Sequence, residues 1–296
     1  MSLAPRAVLV HRTTEYEELI ARHGTHGQAA FFLASRGRDI EEVAARHRRA
    51  RRALAEVAAA VPPAWRQARV ERGDLDRFLF APEDVVVVIG QDGLVANAAK
   101  YLRGQPVIGI DTDPDRNPGV LVRHRPADAA RLLAAGDTAV DELTMVEAVA
   151  DDTQRLLALN EIYLGTPGHQ TARYRLGLED DGGVVEAQAS SGVLVGTGTG
   201  ATGWLRSVWQ ERGGGLPLPS PTEDRLVWFV REAWPSPATG TSLVAGELGA
   251  SAALTLTAES DRLIAFGDGI ETDALQLTWG QTVRVGVCGQ RLRLVG

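Results

Sequence analysis

The chain has 296 residues, a formal net charge of −7 and 44% hydrophobic residues. That balance describes a soluble globular protein with room for two domains, and argues against nucleic acid as its main partner. One cysteine (Cys288) leaves no disulfide framework and no cysteine zinc site. No apolar run approaches the ~20 residues of a membrane span. A first strand starting at Ala7 leaves no room for a leader, so the expected location is cytoplasmic.

In chain order, residues 7–10 read as a strand, followed by a helical region containing residues 16–20. A longer helix begins at Asp39 as N-cap, with Glu42 three residues on, close to a capping box. Its apolar positions Ile40, Val43, Ala44, Leu54, Val57, Ala58 and Val61 recur at threes and fours, and Pro62-Pro63 stops it. A short strand near residues 68–70 comes next. Residues 85–89 are five apolar residues in a row, which reads as a strand covered on both faces. A helix over residues 94–102 and a strand over 106–110 follow. Strands alternating with helices predict a parallel, doubly wound α/β sheet, whose ligands bind beyond the carboxyl ends of strands.

From about residue 136 the texture changes to short strand candidates: 159–164, 174–178, 184–187, 193–195, 243–244, 254–256, 263–266, 275–277, 283–287 and 292–295. Turns rich in Gly and Thr, and the run Asp180-Asp181-Gly182-Gly183, divide them. The expected division is an α/β domain over residues 1–135 and a β-rich domain over 136–296, with the boundary between Ala127 and Leu143. A cleft between two domains is the default place for a substrate.

Four segments carry candidate chemistry. Gly90-Gln91-Asp92-Gly93-Leu94 turns the buried strand into a helix, placing backbone N–H groups where a phosphate can sit. Asp92 is a lone acid at such an anion site, which points to phosphoryl transfer; the plainer alternative is a βα turn with a surface aspartate. The single lysine, Lys100, follows Ala99, so there is no Walker A loop and no protein-kinase lysine. Gly196-Thr197-Gly198-Thr199-Gly200-Ala201-Thr202-Gly203 contains a literal Gly-x-Gly-x-x-Gly, but Gly213-Gly214-Gly215 and three prolines follow where a Rossmann unit needs a helix and a second parallel strand. A loop of small residues that lets a ligand lie against backbone, with Thr197, Thr199 and Thr202 as hydroxyl donors, fits better than a plain flexible turn. Asn160-Glu161 stands at the mouth of a strand, as a grip for a ribose or an adenine edge or as a solvated turn.

Other groupings read more simply. Asp111, Asp113 and Asp115 suggest a metal site, but Pro114 and Pro118 fit a loop equally well and no EF-hand pattern accompanies them. The arginines of residues 46–52 form the wet face of an amphipathic helix. His23 and His26 lack a third zinc ligand in sequence reach. Cys288 sits in an alternating strand as buried filler.

In combination the segments resemble the NAD kinase family, with a diverged Gly-Gly-Asp-Gly-Thr motif. Gly90–Leu94, Asn160-Glu161 and the 197–204 loop occur in the family's order. The likeness is greatest to the mitochondrial-type NAD kinases. It rests on Pro106-Val107-Ile108-Gly109-Ile110-Asp111-Thr112-Asp113-Pro114, on Ala158-Leu159-Asn160-Glu161, and on Ser190-Ser191-Gly192 before Thr197-Gly198-Thr199-Gly200, and runs weakly to the Gly267-Asp268-Gly269 turn. The resemblance implies a nucleotide-binding first domain, a dinucleotide-binding second domain, and transfer of the ATP γ-phosphoryl to the adenosine 2′-hydroxyl of NAD, with Mg2+. Asp92 would orient or deprotonate that hydroxyl, and Gly90 and Gly93 would let phosphates approach backbone. Asn160, Glu161, Thr197, Thr199, Gly200, Thr202 and Gly203 would bind NAD. It further implies a homodimer or tetramer built through the β-rich half, and no membrane partner. Gln91, Leu94 and Asp111 depart from the family's Gly, Thr and Asn. The rival readings are a non-catalytic dinucleotide-binding protein and a lipid kinase of the same motif group.

Overall fold

A computed structural model describes residues 4–117, 119–135, 139–151, 153–179 and 184–296. Pro118, residues 180–183, expected from sequence to be a turn, and residues 136–138, where the expected domain boundary falls, lie outside the described residues. The chain divides into two compact units, residues up to Asp141 together with Arg293–Gly296, and Glu142–Leu292.

The first unit comprises β1 (Arg6–His11), α1 (Glu15–His23), α2 (His26–Ala34), α3 (Ile40–Ala60), β2 (Arg66–Glu71), β3 (Asp84–Gly90), α4 (Asp92–Ala99), β4 (Pro106–Asp111) and α5 (Ala129–Ala134). Its strands lie in the order β2-β1-β3-β4, every pair parallel. Side chains alternate across a pleated strand, and here both sets are buried: Ala7, Leu9, Val87 and Ile89 pack with α3 and α5, while Val8, Val10, Val86 and Val88 on the other face are fully covered. That is why residues 85–89 are uniformly apolar. Thr14 and Glu17 form a reciprocal capping box at the start of α1. At α3, Asp39 caps through the Glu41 N–H at 2.9 Å rather than through a box with Glu42.

β5 (Val140–Ala150) leads into the second unit, which contains β6 (Arg155–Ala158), β7 (Glu161–Gly165), β8 (Ala172–Leu178), β9 (Val185–Ser190), β10 (Gly192–Gly196), α6 (Trp204–Glu211), β11 (Arg225–Arg231), β12 (Ala245–Gly249), β13 (Ala253–Ala258), β14 (Leu263–Gly267), β15 (Ile270–Leu277) and β16 (Thr282–Val295). One antiparallel sheet runs β12-β11-β10-β7-β14-β15. The strands β16-β13-β8-β9 form a second antiparallel set, with the β5–β6 hairpin beside β16. Ile162, Leu164, Val193, Val195 and Trp228 of the first set meet Tyr174, Leu176, Leu254 and Leu256 of the second in one buried core, a sandwich packing. The last residues of β16, Arg293 and Leu294, pair in parallel with Pro106 and Val107 of β4.

The structure corrects several expectations. A helix, α6, does follow the 196–203 loop; the Rossmann reading fails instead because the next strand, β11, runs antiparallel to β10. Residues 243–244 are irregular and the strand begins at Ala245. Residues 283–287 and 292–295 belong to the single strand β16. The helix after β3 starts at Asp92 and ends at Ala99, shorter at its C-terminus than expected. Among the described residues no helix is long and apolar enough to cross a membrane.

Candidate functional site

In the first unit the predicted site residues gather where β3 turns into α4. Asp92 is the first residue of α4, and its carboxylate accepts three backbone N–H groups: Val120 to Oδ2 at 3.1 Å, and Leu121 and Val122 to Oδ1 at 2.8 and 2.9 Å. The donors are in place because their segment runs along β4, where the Asp111 N–H donates to the His124 carbonyl at 2.8 Å and the His124 N–H to the Gly109 carbonyl at 3.1 Å. Gly109 permits this approach, since a Cβ there would lie 2.1 Å from the Leu121 carbonyl oxygen. An ionised carboxylate offers about four lone-pair sites. With three engaged, Asp92 is fixed in place and has capacity for one more donor.

The two glycines flanking Asp92 differ. A Cβ on Gly90 would come 3.0 Å from Leu94 Cδ2, so this glycine accommodates the buried Leu94 side chain. At Gly93 the same Cβ meets nothing within 4 Å. Gln91, the N-cap of α4, is exposed and makes no side-chain cap hydrogen bond. Asp111 Oδ1 accepts the Asp113 N–H and the Asn117 amide, both at 2.8 Å, and Asp113 pairs with Arg49 at 3.0 Å. Asp111 Oδ1 thus serves the loop, and Asp113 ties the loop to α3. Among the described residues no group of three or more His, Cys, Asp and Glu side chains is arranged to hold a metal ion.

In the second unit the structure brings Asn160, Glu161, Thr197, Thr199 and Gly200 together. β7 and β10 are neighbours with Glu161 opposite Gly196, so the corner before β7 and the loop after β10 emerge side by side. The Thr197 N–H donates to the Asn160 carbonyl at 2.9 Å, and Thr197 Oγ1 donates to the Leu159 carbonyl at 2.6 Å. The same Oγ1 accepts the N–H groups of Thr199 and Gly200 at 3.1 and 3.3 Å. Gly198 and Gly200 allow this tightness: a Cβ on Gly198 would be 2.2 Å from the Ser220 carbonyl carbon, and one on Gly200 2.4 Å from the Asn160 carbonyl oxygen. Thr202 Oγ1 donates to the Thr199 carbonyl at 2.9 Å, and Gly203 is the N-cap of α6. Of the three threonine hydroxyls predicted as ligand donors, two are therefore committed to backbone carbonyls. The third, Thr199 Oγ1, is buried without a partner among the described residues.

Glu161 is 9% exposed. Burial first, and the charge of Asp268 second, push its carboxyl up to about 8. Asp268 is a residue the motifs did not assign. It sits in the two-residue turn from β14 to β15, where Asp268 and Gly269 have φ of +53° and +67°, the conformation an Asp-Gly hairpin turn favours. Its carboxylate accepts the Leu159 N–H at 2.8 Å and the Asn160 N–H at 2.7 Å. The sequence signals the turn, but not that its aspartate reaches back across 108 residues.

No protein-family model matches the chain. It is 32% identical to the NAD kinase of Halobacterium salinarum over 164 residues, which are 51% of this chain and 54% of that protein. It is 30% identical to the NAD kinase of Pseudomonas putida over 153 residues, 49% of this chain and 48% of the relative. With the NAD kinase of Clostridium tetani the identity is 31% over 153 residues, 48% and 52% of the two chains. The chain spans about half the length of the curated relatives it matches. Over that half the chain is similar to NAD kinases.

Proposed function

We propose that the chain is an NAD kinase-like phosphotransferase, moving the γ-phosphoryl of ATP to the adenosine 2′-hydroxyl of NAD. The observation that carries the reading is the Asn160-Glu161 corner locked against the 197–200 loop, with the Thr199 hydroxyl buried in it. Likeness to four NAD kinases supports the choice of dinucleotide.

The second unit supplies recognition. Asn160 and Glu161 on the corner and Thr199 in the loop offer an amide, a carboxyl and a hydroxyl on backbone that is already bonded, so little ordering remains when the dinucleotide binds. The first unit supplies Asp92, whose one remaining acceptor site takes the hydrogen of the 2′-hydroxyl. As the 2′-oxygen bonds to the γ-phosphorus, the bond from that phosphorus to the β–γ bridging oxygen breaks, ADP leaves, and the proton passes to Asp92. Positioning and charge neutralisation carry most of such a reaction. Both oxygens of Asp92 and Oδ1 of Asp111 lie in hydrogen bonds, so magnesium would be held mainly by the nucleotide's phosphates, where it would neutralise charge.

A second reading, a dinucleotide-binding protein that has lost transfer, is favoured by one observation. Leu94 is buried over Gly90, where the family's threonine would offer a hydroxyl to phosphate. Incubation with NAD, ATP and magnesium, scored with an NADP-specific dehydrogenase, separates the two. NADP above a no-protein blank supports the kinase; no NADP together with NAD binding by calorimetry supports the binding protein. Neither product nor binding rejects both.

A further inference from the structure

We propose that Asp268 is a positioning residue of the dinucleotide site, setting the orientation of Asn160 and Glu161 through the backbone of their corner. This rests on the dinucleotide reading of that corner. Residues 159–161 form a sharp connection between β6 and β7, and both N–H groups entering it, those of Leu159 and Asn160, donate to one carboxylate. The carbonyls of the same two residues are taken by Thr197, through its Oγ1 and its N–H. Asp268 therefore holds the donor side of the corner while Thr197 holds the acceptor side. A third bond returns from the Asp268 N–H to the Glu161 carbonyl at 3.2 Å.

The delivery of Asp268 is itself constrained. Gly267, beside it, is packed so closely that a Cβ would lie 2.7 Å from Ala158 Cβ, and Gly267 pairs with Ile162 across the β14–β7 ladder. The turn is thus anchored to the strand that carries Glu161 by ladder register. The carboxylate also acts on Glu161 directly. Burial is the first influence on the Glu161 carboxyl and the charge of Asp268 the second, both raising it. Asp268 accordingly holds the backbone that carries Glu161 and adds to the burial that keeps its carboxyl protonated.

Asp268→Asn is the informative variant, because Asn-Gly supports the same hairpin turn while removing the charge and one of two acceptor oxygens. Matching circular dichroism spectra establish that it folds as the parent does. The expected results are threefold: faster hydrogen exchange at the Leu159 and Asn160 amides, a midpoint for the Glu161 carboxyl, read by carbon NMR, moved toward acid, and NAD affinity weakened about tenfold or more by calorimetry. Protected amides and an unmoved Glu161 midpoint overturn the proposal, as does wild-type NAD affinity in the variant. A parent chain that binds no NAD rejects the dinucleotide reading instead; the amide and carboxyl measurements, made without ligand, still decide whether Asp268 holds the corner.

Discussion

The Cα of Gly200 lies so close to the Asn160 carbonyl that a methyl group added there would sit 2.4 Å from the oxygen and 3.1 Å from Glu161 Oε2. The glycine is needed for close approach, and a loop thus pressed onto a corner moves only with it.

Gly200→Ala tests this directly. The added methyl must displace the Asn160-Glu161 corner or the loop, at a cost of about 1–3 kcal/mol. A lower denaturant midpoint and weaker NAD binding are the expected outcomes; a variant indistinguishable from the parent in both would show that corner and loop are not coupled.

Thr199→Val separates stability from function. The hydroxyl is buried without a partner, so replacing it with an isosteric methyl removes a desolvation penalty of roughly 1–3 kcal/mol. Urea unfolding of the ligand-free variant should show equal or greater stability, while calorimetry should show weaker NAD binding. Loss of stability would mean that the hydroxyl has a partner within the fold.

Glu161 gives a pH signature. Its carboxyl is raised from 4.5 to about 8 in the folded chain, so between those values the folded state holds a proton that the unfolded state has lost. Stability from this group therefore falls as pH rises across that window and is level above it. Glu161→Gln removes the dependence: it should match the parent in mild acid and exceed it at alkaline pH, by up to about 5 kcal/mol. Parallel stability curves for the two proteins would contradict the assignment.

Much of the first unit is legible in the sequence because its strands are buried on both faces, and an unbroken run such as residues 85–89 admits few other readings. α3 is legible for its apolar spacing, its Asp39 cap and the prolines beyond it. β5 is not, because Asp141, Glu142, Thr144 and Glu147 break its alternation. β11 is masked by the prolines just before it, and α6 by the three glycines after it, although these lie beyond the helix. The candidate site follows the same rule. Gly90–Leu94, Asn160-Glu161 and the 197–203 loop stand out as local motifs. The commitment of Thr197 and Thr202 to carbonyls, and the reach of Asp268 to the corner, depend on pairings between distant strands that local spacing does not encode.

In the proposed reaction Asp92 joins fold and chemistry. Asp92→Ala strands three backbone N–H groups and should cost about 2–4 kcal/mol in unfolding free energy. Asp92→Asn keeps one acceptor oxygen and loses the charge; it should abolish transfer while leaving NAD affinity within about threefold of the parent. Undiminished turnover in Asp92→Asn would remove Asp92 from the reaction.

The most direct test of the central claim is the identity of the product formed from NAD and ATP with magnesium, read by phosphorus NMR. The account predicts a new phosphate monoester on the adenosine 2′-oxygen, with ADP in equal amount, and neither from the Asp92→Asn protein. An unchanged NAD spectrum from a folded, NAD-binding parent would contradict the assignment of phosphoryl transfer.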